Sequence, residues 1–236
     1  MIQDTNEERR PERRTFLIGM ASGSAVVLGS CASSPDREAE GSSEASSTEA
    51  EVTPGEDLMQ EHGVLERVLL LYGESVRRMD GKEDMDPAVV TQAAGIIRRF
   101  VEDYHERNEE RHVFPRLEAA KREVALVATL RRQHERGREL TDEIVRLSKA
   151  GVSSELSDRL REFERMYRPH AAREDTVVFP AFRSVVGRSA YAELGEQFED
   201  EEHVRLGDHG FEATVAEVAR LEATLGIDNL DRFTPP

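Results

Sequence analysis

The 236-residue chain has one cysteine, Cys31, so no internal disulfide can form and no metal could be held by more than one thiolate. It also lacks a good membrane span. Its longest uncharged stretch, Thr15 to Pro35, is interrupted by Ser and Gly and falls short of the ~20 predominantly apolar residues a span needs. Positive charge is in deficit: 32 Lys and Arg stand against 48 Asp and Glu, for a net −16. A surface of that sign argues against nucleic acid and against an electrostatic hold on anionic lipid. No alternating apolar pattern suggests strands, and no electron-transfer cofactor motif or second metal domain can be read.

What is present divides the chain into four parts. Residues 1–31 read as a bacterial signal of the twin-arginine type: Glu12-Arg13-Arg14-Thr15-Phe16-Leu17 leads into the uncharged run. That run ends in Leu28-Gly29-Ser30-Cys31, which resembles a lipobox, with Cys31 as the lipidated residue. Residues 32–57 are Ser, Glu, Ala and Pro with eight acidic residues and one basic. Such a segment cannot bury enough apolar surface to offset ordering, so a disordered acidic tether is expected. These features predict an exported lipoprotein, anchored to a membrane through Cys31 and facing the periplasm or cell exterior.

From residue 58 to 185 the periodicity is helical. Leu58, His62, Leu65, Leu69, Tyr72 and Val76 form one stripe. A second opens at Asp86-Pro87, an N-cap and first-turn proline, and continues through Val90, Ala94, Ile97 and Val101 to His105 and Glu109. A third runs through Val127, Leu130, His134, Thr141 and Ile144 and closes at Gly151. The fourth, opened by Ser153 or Ser154, carries Leu156, Leu160, Phe163, Tyr167, His170, Glu174, Val177 and Ala181. Four amphipathic stretches with short connections predict an all-α protein, an antiparallel four-helix bundle. Residues 186–236 add a C-terminal extension with two further helices, about Ala190 to Leu206 and Phe211 to Leu225.

One phrase occurs twice. His105-x3-Glu109-Glu110-x3-Phe114-Pro115 returns as His170-x3-Glu174-Asp175-x3-Phe179-Pro180 with every offset preserved. A carboxylate four residues after a histidine lies on the same helix face, one turn on. Each of the four helices thus places one histidine in its apolar stripe, and two add a glutamate. Buried carboxylates are costly unless paired or bound to metal, and donors of this type suit iron or another transition metal better than structural zinc.

The doubled motif, with His62 and His134 on the intervening helices, resembles the hemerythrin-like (HHE cation-binding) family. The resemblance covers about residues 58–185. It implies two non-haem iron ions, bridged by an oxo or hydroxo group, with terminal ligands His62, His105, His134 and His170 and bridging carboxylates Glu109 and Glu174. The oxygen carriers of that family place an aspartate five residues after the fourth-helix histidine, which here is Asp175. Helix geometry favours Glu174, since four residues advance about 40° around the axis and five about 140°; Asp175 is the alternate. The carriers also have a histidine where this chain has Arg138, so reversible oxygen carriage is not implied. Pairing His62 with His105, and His134 with His170, gives two equivalent halves sharing both glutamates. The function implied is binding or sensing of dioxygen, nitric oxide or iron; the alternative is an oxidoreductase removing peroxide or nitric oxide in the cell envelope. Without a readable reductase motif, binding is favoured over turnover.

Other residues carry weaker expectations. His112 lies seven after His105, on the same face of an ideal helix, as a neighbour of the ligands. Tyr104 and Tyr167 flank the histidines as core residues able to donate hydrogen bonds. Pro169 should kink its helix, and the two Phe-Pro pairs should end or bend theirs and pack below the site. His203 and His209 sit among charges and read as surface residues, with His203 as an outside candidate for a metal position.

Overall fold

The computed structural model describes residues 52–235; the expected signal, Cys31 and the tether as far as residue 51 lie outside them. The described residues are helical, with turns and bends between helices and no strand among them. None of their helices is long and apolar enough to cross a membrane.

Helix α1 spans Pro54–Gly81. The Thr53 hydroxyl accepts from the Glu56 N–H, the Glu56 carboxylate accepts from the Thr53 N–H, and Pro54 fills the first turn. The helix therefore starts ahead of residue 58, where the domain was expected to begin. Glu56 and Asp57 count as tether by composition, yet acidic residues at a helix N-terminus satisfy its free N–H groups and its dipole. Helix α2 runs from residue 87 to 119, capped by Asp86 with Pro87 in its first turn. Helix α3, Val124–Ala150, closes on Gly151 at a φ of 115°, where glycine avoids a side-chain clash. Helix α4 occupies residues 154–185 behind the Ser153 cap. Helix α1 packs on α2 and α4, α3 packs on α2 and α4, and the C-terminal segments of α2 and α4 also meet.

Helices α2 and α4 are not uniform. Wide π-type turns occupy Ile97–His105 and Glu109–Val113 in α2, and Glu174–Val178 in α4. The turns beginning at Glu109 and Glu174 are equivalent in the repeat, and the Phe-Pro pairs account for them. Proline has no N–H, and its ring presses on the carbonyl four residues back. An extra residue in the turn relieves that pressure, and the N–H groups of Phe114 and Phe179 donate to the carbonyls of Glu109 and Glu174, five back. The helices therefore continue through Pro115 and Pro180, so of the two expectations, an end or a bend, the end is not seen. Pro169 likewise sits inside α4 without ending it.

The wide turns also shift the buried face by one residue. Val178 and Val113 are fully buried, whereas Val177, expected in the stripe, is 37% exposed. His112 is the counterpart of Val177 and turns away from the interior for the same reason.

Helices α5 (Arg188–Leu206) and α6 (Gly210–Leu225) form the C-terminal extension. They are integral to the packing. Val218, Leu221 and Leu225 join the larger apolar cluster built from α1 to α4, while Tyr191, Leu194 and Phe198 join a second cluster around Phe114, Phe179 and Phe182. Polar bonds reinforce the contact: Arg67 forms a two-pronged pair with Glu222 at 2.8 and 2.5 Å, and Arg78 donates to the Leu225 carbonyl at 2.6 Å. Because Leu221 is buried among side chains of the main helices, Leu221→Ala is expected to destabilise the whole protein by about 2–4 kcal/mol. Chemical denaturation followed by circular dichroism measures this, and a single cooperative transition at lower denaturant is the expected result.

Candidate metal centre

Between the two apolar clusters lies a polar interior. His62, His105, His134 and His170 each expose 3% of their surface or less, and Glu109 and Glu174 expose none. The six candidate ligands, drawn from four helices, meet at one place. The Nε2 atoms of His62 and His105 are 3.1 Å apart, and those of His134 and His170 are 3.2 Å apart. These are the pairs expected from the repeat. Glu109 approaches His105 at 3.6 Å and His134 at 3.4 Å; Glu174 approaches His170 at 2.9 Å, His62 at 3.4 Å and His134 at 3.9 Å. Each glutamate therefore reaches histidines of both pairs.

The outward ring nitrogens are occupied. The Nδ1 of His62 lies 2.7 Å from Asp175, that of His105 2.6 Å from Glu61, that of His134 3.1 Å from Glu110, and that of His170 3.0 Å from Gln133. An oxygen partner of this kind makes Nδ1 the donor, which leaves the Nε2 lone pair directed inward. Two such lone pairs about 3 Å apart repel unless a cation or proton lies between them. The carboxylates tell the same story. All four oxygens of Glu109 and Glu174 are buried without a hydrogen bond, a costly state for an ionised group. Donor set and orphaned oxygens together fit a bound cation.

Atoms from Glu109, His134, His170 and Glu174 lie within 4.8 Å of one another, as do atoms from His62, His105 and Glu109. A third group, Glu106, Glu110 and His134, meets the same distance, but Arg138 already supplies its positive charge. The Arg138 guanidinium donates to Glu106 and Glu110 at 2.7 Å each. It thus braces the carboxylate behind His134 and does not point at a metal position. Tyr167 donates to the other oxygen of Glu106 at 2.7 Å, and one turn away Thr141 donates to the buried Glu102.

The motif works crosswise. Phe114 of α2 stacks on His134 of α3, and Phe179 of α4 stacks on His62 of α1, each with ring centroids 5.5 Å apart. Glu110 and Asp175 follow the same cross-pairing. Asp175, the alternate ligand, thus orients His62 from outside, and Glu174 faces the interior. His112 instead bonds Glu201 at 3.0 Å beside Phe198, and His203 is a surface residue bonded to Asp208 at 2.8 Å; neither reaches the cluster. His209 is exposed ahead of α6, in left-handed backbone with a φ of 58°. Tyr104 is wholly buried, as a core residue.

A family model described as the Hemerythrin HHE cation binding domain matches residues 53–182. The chain belongs to the hemerythrin HHE cation-binding family. The hemerythrin-like chain is also 41% identical over 230 residues to uncharacterized proteins of Mycobacterium bovis and Mycobacterium tuberculosis. Those matches cover 94% of this chain and 90% of each relative. No solved structure matches. Family membership makes this a metal-binding domain, of a kind that usually takes iron, and its His/Glu clusters are able to hold a metal.

The sequence reading missed Glu61 and Gln133. Each immediately precedes a helix histidine, His62 or His134, and reaches the histidine on the neighbouring helix. That shared placement was the available signal. Glu102 and Glu106, also buried, were missed because acidic residues on a helix read as a solvated face.

Without metal, protons must take over part of the cation's work. Burial opposes charge on His62, but Asp175 and Glu174 outweigh it and lift its pKa to about 9. Burial holds His134 down at about 4, and burial followed by the His62 charge pushes His105 well below its usual value. Burial and the neighbouring Glu174 push Glu109 well above the usual carboxylate range. A histidine raised from 6.5 to about 9 stabilises the fold fully below 6.5 and loses that contribution as pH climbs through about 9. Metal-free protein is therefore expected to lose thermal stability between those pH values. Thermal melts of metal-free and loaded protein check this, with a shallower dependence expected for the loaded form because metal displaces the proton.

A second prediction concerns Gly137. A Cβ there would lie 1.9 Å from the Tyr167 hydroxyl, so Gly137→Ala must displace the tyrosine from Glu106. The expected cost is about 1–3 kcal/mol from overpacking and the lost bond, read by denaturation against Tyr167→Phe, which removes the hydroxyl without the clash.

Proposed function

We propose that this chain is an exported non-haem di-iron protein that binds or senses dioxygen, nitric oxide or iron. The observation carrying the proposal is the convergence, between two apolar clusters, of four histidine Nε2 atoms with the four Glu109 and Glu174 oxygens, which are buried without hydrogen bonds. In this reading His62 and His105 hold one ion, His134 and His170 hold the other, and Glu109 and Glu174 serve both. Iron held by these donors supplies redox chemistry and positions open to a small ligand.

The chain's own residues do the rest. Asp175, Glu61, Glu110 and Gln133 fix the imidazoles in the tautomer that offers Nε2. Phe114 and Phe179 cover two of those rings and keep bulk water from them, which strengthens electrostatic interactions inside the site. Arg138 holds Glu110, whose pKa falls to about 2: burial opposes this, but His134 and Arg138 prevail. Glu110 therefore remains an acceptor for His134 throughout the neutral range.

Export and anchoring belong to the same proposal. The paired arginines, the uncharged run and the lipobox-like Leu28-Gly29-Ser30-Cys31 support passage through the twin-arginine route and attachment at Cys31. Folded export would let the metal be chosen in the cytoplasm, before an N/O site meets tighter-binding copper.

Metal analysis and ultraviolet-visible spectra of purified protein test the proposal. Two irons per chain are expected, with a charge-transfer band that appears on exposure to dioxygen or nitric oxide and reverses on its removal. Glu174→Ala should lower iron content below two even at saturating iron while preserving helicity, whereas Asp175→Ala should still reach two at saturating iron, with lower affinity. Fewer than two irons per wild-type chain after anaerobic reconstitution, with helicity intact, would defeat the reading. Sustained consumption of peroxide would reassign the protein to oxidative turnover.

A further inference from the structure

Each half of the cluster offers two inward histidines; Glu109 gathers with both pairs, and Glu174 gathers with His134 and His170. Behind the rings the halves differ further. In the His62/His105 half, both outward nitrogens lean on carboxylates, Asp175 at 2.7 Å and Glu61 at 2.6 Å. In the His134/His170 half, His134 leans on Glu110 at 3.1 Å, and that carboxylate is shared with the Arg138 guanidinium 2.7 Å away. His170 leans on a neutral amide, Gln133, at 3.0 Å. The pseudo-symmetric counterparts Glu61 and Gln133 occupy the same place in their helices, each just before the inward histidine of that helix. One is an acid, the other its uncharged isostere. Arg138 has no cationic counterpart bonded to Asp175 among the described bonds.

The outward partner of a metal-bound imidazole sets its basicity, and an anionic acceptor makes the ring a stronger donor. The rings lean on two carboxylates on one side, against an amide and one carboxylate that shares the Arg138 guanidinium with Glu106 on the other. We infer that the centre is built unequal, with a tightly held ion between His62 and His105 and a weaker, exchangeable ion between His134 and His170, the difference set by Glu61 and Gln133 as positioning residues. This rests on the dinuclear reading and goes beyond it: the two positions have separate roles, one resident and one able to be loaded or lost.

The consequence is stepwise metallation. The half-loaded protein keeps the His62/His105 ion, so its fold remains held together while the second position fills or empties with the metal supply. Such an arrangement suits a protein that responds to iron availability, since the weaker position would follow the free metal concentration.

The experiment is an anaerobic Fe(II) titration of the metal-free full chain in competition with a chromophoric chelator, on wild type, Gln133→Glu and Glu61→Gln. Wild type should take two equivalents in two steps. Loss of such an outward partner generally costs about 10- to 100-fold in metal affinity, and shifts of that order are expected here in opposite directions. Gln133→Glu should tighten the weaker step and leave the tighter one in place. Glu61→Gln should weaken the tighter step. Repulsion between two cations could also split the wild-type steps, so the variants carry the decision. If Gln133→Glu leaves the weaker step unmoved, or if Glu61→Gln does not touch the tighter one, the inference is overturned. Two equivalents binding in one indistinguishable step overturn it as well, with the dinuclear reading intact. Fewer than two equivalents in wild type overturn that reading and the inference with it. Circular dichroism of each metal-free variant confirms that helix content is retained.

Discussion

Lone pairs and negative charge buried away from water are the constraint around which this protein is organised. Six donor side chains from four helices point at one another in a region water scarcely reaches, and burial alone would cost several kcal/mol per ion. The surrounding structure reads as a response. The outward nitrogen of every histidine is bonded, two phenylalanines stack against the rings, and an arginine neutralises the acids behind His134. What remains uncompensated is the centre itself, the four oxygens of Glu109 and Glu174 and the facing Nε2 atoms. A bound cation would answer both, and in its absence protons on His62 and Glu109 answer part.

Placing those donors demands more than an ideal helix. In α2 and α4 the histidine and glutamate sit four residues apart, and a wide turn begins at the glutamate. The proline that follows makes a regular α turn unfavourable, so a residue chosen for its backbone restriction also sets the side-chain register downstream. The aromatic residue before that proline then lands on a histidine of the adjacent helix. Inward donor, turn and covering ring are therefore consequences of one eleven-residue phrase, used twice.

Much of this was legible in the chain. The helices followed from apolar periodicity, their starts from Asp86-Pro87 and Ser153, and the end of α3 from Gly151. Acidic residues deceived where two structures share one composition: Glu56 and Asp57 read as tether but form the first turn of a helix, and the buried Glu102 and Glu106 drew no reading. Val177 was placed in the buried stripe, and His112 beside the ligands, because an unbroken period was assumed. One inserted residue per turn rotates every later side chain, and no hydrophobic pattern records where the insertion falls.

The sequence by itself determined the helical class and the doubled motif, which depend on spacing along a single helix, and its family resemblance pointed to the six side chains that face one another. It could not decide what stands behind each donor. That Asp175 supports His62 rather than facing the centre, that Arg138 spans Glu106 and Glu110, and that Glu61 and Gln133 hold histidines of neighbouring helices are relations between elements far apart in the chain. Such relations depend on how far each helix is rotated about its axis, which packing fixes. The difference between the two halves belongs to the same class: it is written as Glu61 against Gln133, yet it acquires meaning only when tertiary structure brings each against its imidazole.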